Sequence, residues 1–483
     1  MTGVSGRIGR GDDGESFATT AGHADPAPRS DPAPRDGAAP PTGVPAVRGP
    51  ITATALLFAA NGAIFGAIVP RLPDLKDTLD LGPAAFGVAM ACYPAGALFG
   101  GLLTPLLMRR RSDGAVAVAT MIGAAFIAAL VGFSPVALVF AGLLLLFGVL
   151  DAITDVSMNA HGIRVQERHG RSLINRFHAL WSLGAVLGAA GGSISAGTGV
   201  PVVGQMIGAG LICATLALAA YPLRLGPPVA EDEYGRDLDA VPADGGAGGG
   251  RGAGGAGGGG AAGLGAAPSS AQSIDPVTRR RIPGGRALLL LVALGLFACC
   301  AELVEDFAQT WSALYLREIT IAGAGLAGLG FISVQGAQLM GRFTGDLLVE
   351  RFGAAHVGQM GGSCVVAGAG TAFLASFLLD GPVLLVVLLA GFVLAGWGIA
   401  TIIPGAMVSA DAVSGLPPGA GLAVLNWVMR LGFLLSPPLV GLIAEYGGIR
   451  WTVTPMIVGG VLIALMAGPL LARSGSGQRE RSS

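Results

Sequence analysis

The chain has 483 residues, of which 52% are hydrophobic and 12% charged, about half the charged share of an ordinary soluble protein. That balance excludes one large soluble domain and points to a chain that crosses a membrane many times. The formal net charge of −1 names no partner, nucleic acid is not expected, and the single lysine, Lys76, excludes a G-x-x-x-x-G-K phosphate loop and with it ATP-driven pumping by this chain alone.

Residues 1–49 are rich in proline and charge and hold no apolar run, so they read as a disordered cytoplasmic tail. The first apolar run is itself long enough to span, so no signal peptide is expected. From Ile51 onward twelve stretches approach the ~20 residues that a bilayer requires. Their expected bounds are 51–70, 83–107, 114–133, 136–159, 174–198, 200–222, 286–314, 322–346, 355–379, 382–406, 419–441 and 451–472. With the N-terminus inside, Arg109, Arg110, Arg111, Arg164, Arg168, Arg171, Arg279, Arg280 and Arg281 fall in the cytoplasm, and only Arg71, Lys76, Arg317 and Arg450 fall outside. The positive-inside rule therefore predicts a multi-pass protein of the cell membrane with both termini, including a tail at 473–483, in the cytoplasm.

Between the sixth and seventh spans, residues 223–285 include Gly245 to Gly265, where fourteen glycines alternate almost only with alanine. Such a stretch cannot bury a core and behaves as a coil, with ends on the order of 45 Å apart if unconstrained. The expected organisation is a six-helix bundle over 50–222, a loose linker over 223–285 and a second bundle over 286–472. A weak repeat agrees: Gly100-Gly-Leu-Leu-Thr-Pro105-Leu-Leu-Met-Arg-Arg110 closes the second span and Gly341-Arg-Phe-Thr-Gly-Asp346-Leu-Leu-Val-Glu-Arg351 closes the eighth.

Polar residues are spread unevenly over the spans. Asn61 lies in the first, Tyr93 in the second, Asp151 and Asp155 in the fourth, and His178 and Trp181 in the fifth. The seventh holds Glu302, Glu305 and Asp306, the eighth Gln335, Gln338 and Arg342, the tenth Trp397, and the eleventh Asn426 and Arg430. Spans 3, 6, 9 and 12 have no ionisable residue in their apolar runs and are expected to face lipid. The fold class that follows is an all-α membrane protein of twelve helices in two pseudo-symmetric six-helix bundles.

With this inventory the chain resembles the major facilitator superfamily over essentially all of residues 51–472. Arg71-Leu-Pro-Asp-Leu-Lys76, Asp155-Val-Ser-Met-Asn159-Ala-His-Gly162, Phe177-His178-Ala-Leu-Trp-Ser182-Leu-Gly184, Trp311-Ser-Ala-Leu-Tyr-Leu316 and Gly345-Asp346 look like a poorly characterised bacterial permease branch, distantly similar to sugar:proton symporters. The resemblance implies that the first, fourth, seventh and tenth helices line a central cavity, and that Asp346, with Arg342 and Arg351, takes part in cytoplasmic gating. It implies secondary transport of a small molecule by one chain in the bilayer, not catalysis, and no cofactor. Helix 5 lacks the Gly-Pro-x-x-Gly-Gly signature of the family's antiporters, since Ala189 follows Gly188.

The residues themselves suggest roles. Glu302, Glu305 and Asp306 crowd within about a turn of one helix, where they cannot all ionise easily, so the cluster suits a proton carrier; the resemblance to the permease branch, at the position six before Trp311, implies Glu305 as the first choice. Arg430, near the middle of its span, requires a carboxylate, and the helix 7 acids are the available partners in the same half. The pair is either a switchable anchor or a static tie. Asp151 is the carboxylate expected across the cavity; Asp155 with Asn159 is expected near the cytoplasmic boundary, tied to the arginines of a 160–176 loop. His178, Trp181, Asn61, Tyr93, Gln335, Gln338, Trp397 and Asn426 either contact substrate or bridge helices. The cysteines are apolar filler, His161 and His169 are assigned no chemistry, and no metal-ligand spacing occurs. The alternatives to a coupled transporter are a passive facilitator and a transceptor or scaffold that binds ligand without moving it.

Overall fold

The computed structural model describes residues 48–226, 284–320, 323–413 and 420–479. The expected N-terminal tail and nearly all of the expected linker lie outside the described residues. The described residues form twelve long helices: α1 (Arg48–Ile68), α2 (Pro83–Met108), α3 (Asp113–Val131), α4 (Ala137–His169), α5 (Ile174–Gly197), α6 (Val202–Ala220), α7 (Gly284–Asp306), α8 (Leu329–Phe352), α9 (Ala354–Leu378), α10 (Gly381–Ile399), α11 (Ala420–Gly447) and α12 (Thr454–Arg479). No strand occurs among the described residues. Among the described residues eleven helices are long and apolar enough to cross a membrane; α8 is long enough but carries Gln335, Gln338, Arg342, Asp346, Glu350 and Arg351. That polar load fits a helix lying between protein neighbours on much of its surface.

Three helices are extended or broken. After α1 the chain makes a 3₁₀ turn, Val69–Arg71, and a further helix, Leu72–Thr78. After α7 it makes a π turn, Phe307–Trp311, and continues as a helix over Ser312–Ile319. After α10 it restarts as Ile402–Asp411. Several ends differ from expectation, among them α8, which runs over 329–352 rather than 322–346, and α11, which ends at Gly447 rather than at 441. Helix α4 runs ten residues past the expected 159, to His169, because the polar turns after Asp155 are amphipathic enough to continue it until Gly170, which takes a left-handed φ of 70° and ends the helix. Likewise α12 continues to Arg479.

The two halves repeat one packing scheme. In the first, α1 packs on α5 and α2 on α4; in the second, α7 packs on α11 and α8 on α10. Glycine permits the closest of these approaches. A Cβ on Gly62 would overlap the Trp181 carbonyl, and one on Gly188 would overlap the Ala63 carbonyl, so α1 and α5 touch backbone to backbone. The repeated glycines keep their function: Gly100 rests on Val149 of α4, and Gly341 on Trp397 and Ala400 at the end of α10. Between the halves, α2 packs on α11 and α5 on α8. Helix α3 departs from the expected lipid-facing role. It buries more of its length than α4 or α5, since Ala117, Ala124, Ala125 and Ala128 let it sit against α4 and α6.

Candidate functional site

Four side chains that the sequence scatters over 120 residues meet in the first half. The Asp151 carboxylate on α4 accepts one hydrogen bond on each oxygen, from Asn61 Nδ2 of α1 at 2.7 Å and from the Tyr93 hydroxyl of α2 at 2.7 Å. Asn61 Oδ1 in turn accepts the Trp181 indole N–H of α5 at 2.7 Å. An indole N–H can only donate, which fixes the orientation of the Asn61 amide and turns its NH₂ toward the acid. The carboxylate is thus held by neutral donors alone. One turn beyond Asn61, the Phe65 ring lies 5.8 Å from Tyr93, 6.3 Å from Trp181 and 6.2 Å from Phe331 of α8, and so reaches the other half.

The acids of α7 separate toward different neighbours. Asp306, 1% exposed, accepts Thr310 Oγ1 at 3.0 Å and Ser436 Oγ of α11 at 2.7 Å. Glu305 accepts the Gln338 amide of α8. Glu302 is buried, with Glu305 and Asp306 as its like-charge neighbours. The α-helical register stops at Asp306, and the π turn that follows widens the helix where Gln309 and Thr310 are presented; such turns recur at functional sites. Between the halves lies a cavity of about 30 Å³, lined by Phe65, Tyr93 and Phe147 on one side and Asp306, Gln309 and Thr310 on the other. That volume admits about one water and no larger solute.

Other expected site residues are placed elsewhere. Arg430 does not meet the α7 acids: its Nη1 donates to the Ala97 carbonyl of α2 at 3.3 Å, and the carboxylate acting on it electrostatically is Asp155 of α4, in the opposite half. The same-half pairing is therefore corrected; the α2–α11 packing carries Arg430 across the interface. Asp155 lies within α4, where the Asn159 amide of the same helix donates to it at 3.0 Å; that partner takes the place of the expected loop arginine. His178 stays outside the Asp151 network, with its ring 5.2 Å from Phe58 in an edge-on arrangement and Arg342 of α8 as its charged neighbour. Trp397 donates to Thr344 at 3.3 Å, Gln335 is buried on α8, and Asn426 is half-buried and engaged. Asp346 is exposed, and Arg351 is turned toward α9 rather than toward the first half.

Two ionic clusters escaped the sequence reading. At the end of the bundle away from the arginine-rich loops, Arg317 joins the halves, with Nη1 2.5 Å from Asp74 and Nη2 3.1 Å from Asp77. Arg71 supports Asp74 from its other side at 2.9 Å and donates to the Val200 carbonyl. At the same end Glu445 of α11 accepts the Ala84 N–H at 3.2 Å, capping α2 across the interface. At the arginine-rich end, Asp113 at the start of α3 accepts both His161, at 3.2 Å, and a two-pronged bond from Arg164 of α4. His161 is therefore a buried helical residue with a carboxylate partner, not a loop residue. The signal was present: His161 and Arg164 are three apart, and Asp113 follows the Arg109–Arg111 run.

No family model matches the chain. It is 29% identical to an uncharacterized transporter of Sinorhizobium fredii over 420 residues, 86% of this chain and 97% of the relative. It is 24% identical to an uncharacterized MFS-type transporter of Yersinia pestis over 397 residues, 81% of this chain and 88% of the relative. Among solved structures, the nucleoside transporter NupG superposes with a TM-score of 0.62 at 13% identity, covering 88% of this chain and 98% of that one. A D-xylose-proton symporter superposes with a TM-score of 0.61 at 14% identity, covering 88% and 97%. The resemblance carried by the sequence motifs and the arrangement of the twelve helices agree: the chain resembles the major facilitator superfamily and has its fold.

Proposed function

We propose that the chain is a secondary active transporter that moves a small molecule by alternating access and couples it to protons. The observation that carries this reading is the pair of carboxylate networks, one around Asp151 in the first half and one around Asp306 in the second, on either side of a small cavity between the halves that Tyr93 and Asp306 line. The shared interface contacts α2–α11 and α5–α8 allow the halves to rock about that cavity. Breaking the Arg317 contacts with Asp74 and Asp77 opens one end; separating Arg430 from α2 and Asp155 opens the other. The acids of α7 are the coupling group, with Asp306 at the cavity and Glu305 adjacent, and Asp151 is their counterpart. A proton moving down ~100 mV supplies ~2.3 kcal/mol to a solute.

In this reading the chain works as a monomer, because both networks and the cavity come from one chain. The arginine-rich end faces the cytoplasm of the cell membrane, which places both termini, the tail over 1–49 and the linker over 223–285 inside. The names of the relatives support transport rather than catalysis, and the D-xylose-proton symporter supports proton coupling. Sugars and amphipathic small molecules are the first classes to screen. The test uses purified protein in proteoliposomes with an internal pH dye: a transported solute acidifies or alkalinises the lumen only when the protein is present. Binding without flux identifies a transceptor instead, and flux indifferent to a pH gradient identifies a passive facilitator.

A further inference from the structure

Helix α9 carries a polar stripe on a face that looks out of the bundle. His356, Gln359, Met360 and Ser363, spaced three, four and seven apart, are exposed on it, and together with Arg351 and Phe352 from the end of α8 they line one open groove. The turn between the helices is tight, since Gly353 takes a φ of 81°, so Arg351 and His356 sit at the mouth of the same groove. Arg351 lies over the Phe352 ring at 5.4 Å. No acidic side chain lines the groove, and among the described residues neither Arg351 nor His356 forms an ion pair.

Acyl chains offer no partner to Arg351, His356 and Gln359, whereas the Ser363 hydroxyl already donates to the Gln359 carbonyl at 2.9 Å. A polar side chain facing hydrocarbon is costly, and the stripe descends seven residues, about 10 Å at 1.5 Å per residue. The headgroup and interfacial layer of one leaflet is only about 5–8 Å deep. A stripe of that length exceeds the depth of the headgroup layer. Below the basic mouth the polar groups are an amide and a hydroxyl, Gln359 and Ser363, and the flanking side chains Phe352 and Met360 are apolar. Along the groove Arg351, Phe352 and His356 lie at one end, and Gln359, Met360 and Ser363 follow along α9.

We infer that this α8–α9 groove binds one anionic glycerophospholipid, its phosphate at Arg351 and His356, its ester region at Gln359 and Ser363, and an acyl chain along Met360. This gives Arg351 a role outside cytoplasmic gating, and it depends only on the chain spanning a membrane, not on the transport reading. Both basic residues lie outside the core, so replacing them leaves the packing of α8 on α10 and of α9 on α12 untouched.

The full chain is purified in detergent, delipidated, and titrated with phosphatidylglycerol or phosphatidylcholine under native mass spectrometry, for the wild type and for the double variant Arg351→Gln, His356→Gln. The wild type is expected to retain one phosphatidylglycerol beyond the non-specific distribution. The double variant is expected to lose about fivefold or more in that affinity, the loss expected for one arginine charge near a membrane surface, while phosphatidylcholine binds weakly to both. Matching thermal unfolding of the two proteins shows that the variant is folded. Equal phosphatidylglycerol affinity in wild type and variant overturns the inference, as does equal binding of phosphatidylcholine. Efficient cross-linking of two copies through Met360→Cys also overturns it, because the face would then be covered by protein.

Discussion

Replacing Arg317 by glutamine removes a side chain that touches two carboxylates of the opposite half at the end away from the arginine-rich loops. The contact with Asp74 is partly screened, with the two side chains 34% and 21% exposed. A hydrogen bond to a charged group contributes about 1.5–3 kcal/mol when buried, and about 1 kcal/mol is a fair value at this exposure. The contact with Asp77, itself 58% exposed, adds no more than a few tenths. Arg317→Gln should therefore shift the ratio of closed to open conformers at that end by roughly tenfold. Spin labels at Asp80 in the first half and Asp380 in the second, on a cysteine-free background, report the distance between the halves at that end. Asp74→Asn should shift the same distribution, and the double variant should shift it by clearly less than the sum of the two, with a coupling of about 1 kcal/mol. Fully additive shifts, or no shift from Arg317→Gln, would refute the ionic latch.

Further expectations concern stability and coupling. Tyr93→Phe removes one of the two donors to Asp151 and should cost about 1–3 kcal/mol in thermal or denaturant unfolding in detergent; Asn61→Leu breaks the bonds to both Asp151 and Trp181 and should cost more. Equal, negligible losses for both would show that the network holds nothing together. Gly62→Leu or Gly188→Leu places a side chain into a facing backbone and should abolish monodisperse protein in size-exclusion chromatography, whereas Gly191→Ala, with open space around it, should behave as wild type. Asp306→Asn should leave folded protein that no longer couples solute to protons, and Ser436→Ala, which removes one donor to that acid, should weaken coupling without abolishing it, as read by pH-gradient-driven uptake in vesicles.

The membrane helices were legible because apolar length is set by bilayer thickness, and most expected spans agree with a helix to within a few residues. The polar residues of the first-half network were legible individually, since Asn61, Tyr93, Asp151 and Trp181 each interrupt an apolar run; their meeting is a matter of helix pairing, which spacing along the chain does not carry. The π turn after Asp306 was hidden because face assignments presume 3.6 residues per turn. Arg430 was misassigned because a partner in the same half is nearer in sequence, whereas α11 packs on α2. The Arg317 latch was missed for a similar reason: Asp74 and Arg317 are 243 residues apart, and each looks like an ordinary interfacial charge. The extension of α4 to His169 and the burial of His161 against Asp113 were missed because an apolar run marks where a helix leaves the membrane, not where it ends.

The most direct test of proton-coupled transport at the α7 acids is solute-dependent proton flux in proteoliposomes, measured with an internal pH dye for the wild type, Glu305→Gln and Asp306→Asn. The expected result is a solute that drives lumenal pH change with the wild type, with Asp306→Asn losing the pH change while still binding solute, and Glu305→Gln impaired. Uphill, uncoupler-sensitive uptake that survives in both variants would contradict the assignment of the coupling proton to α7, and solute binding by the wild type with no flux at all would contradict transport itself.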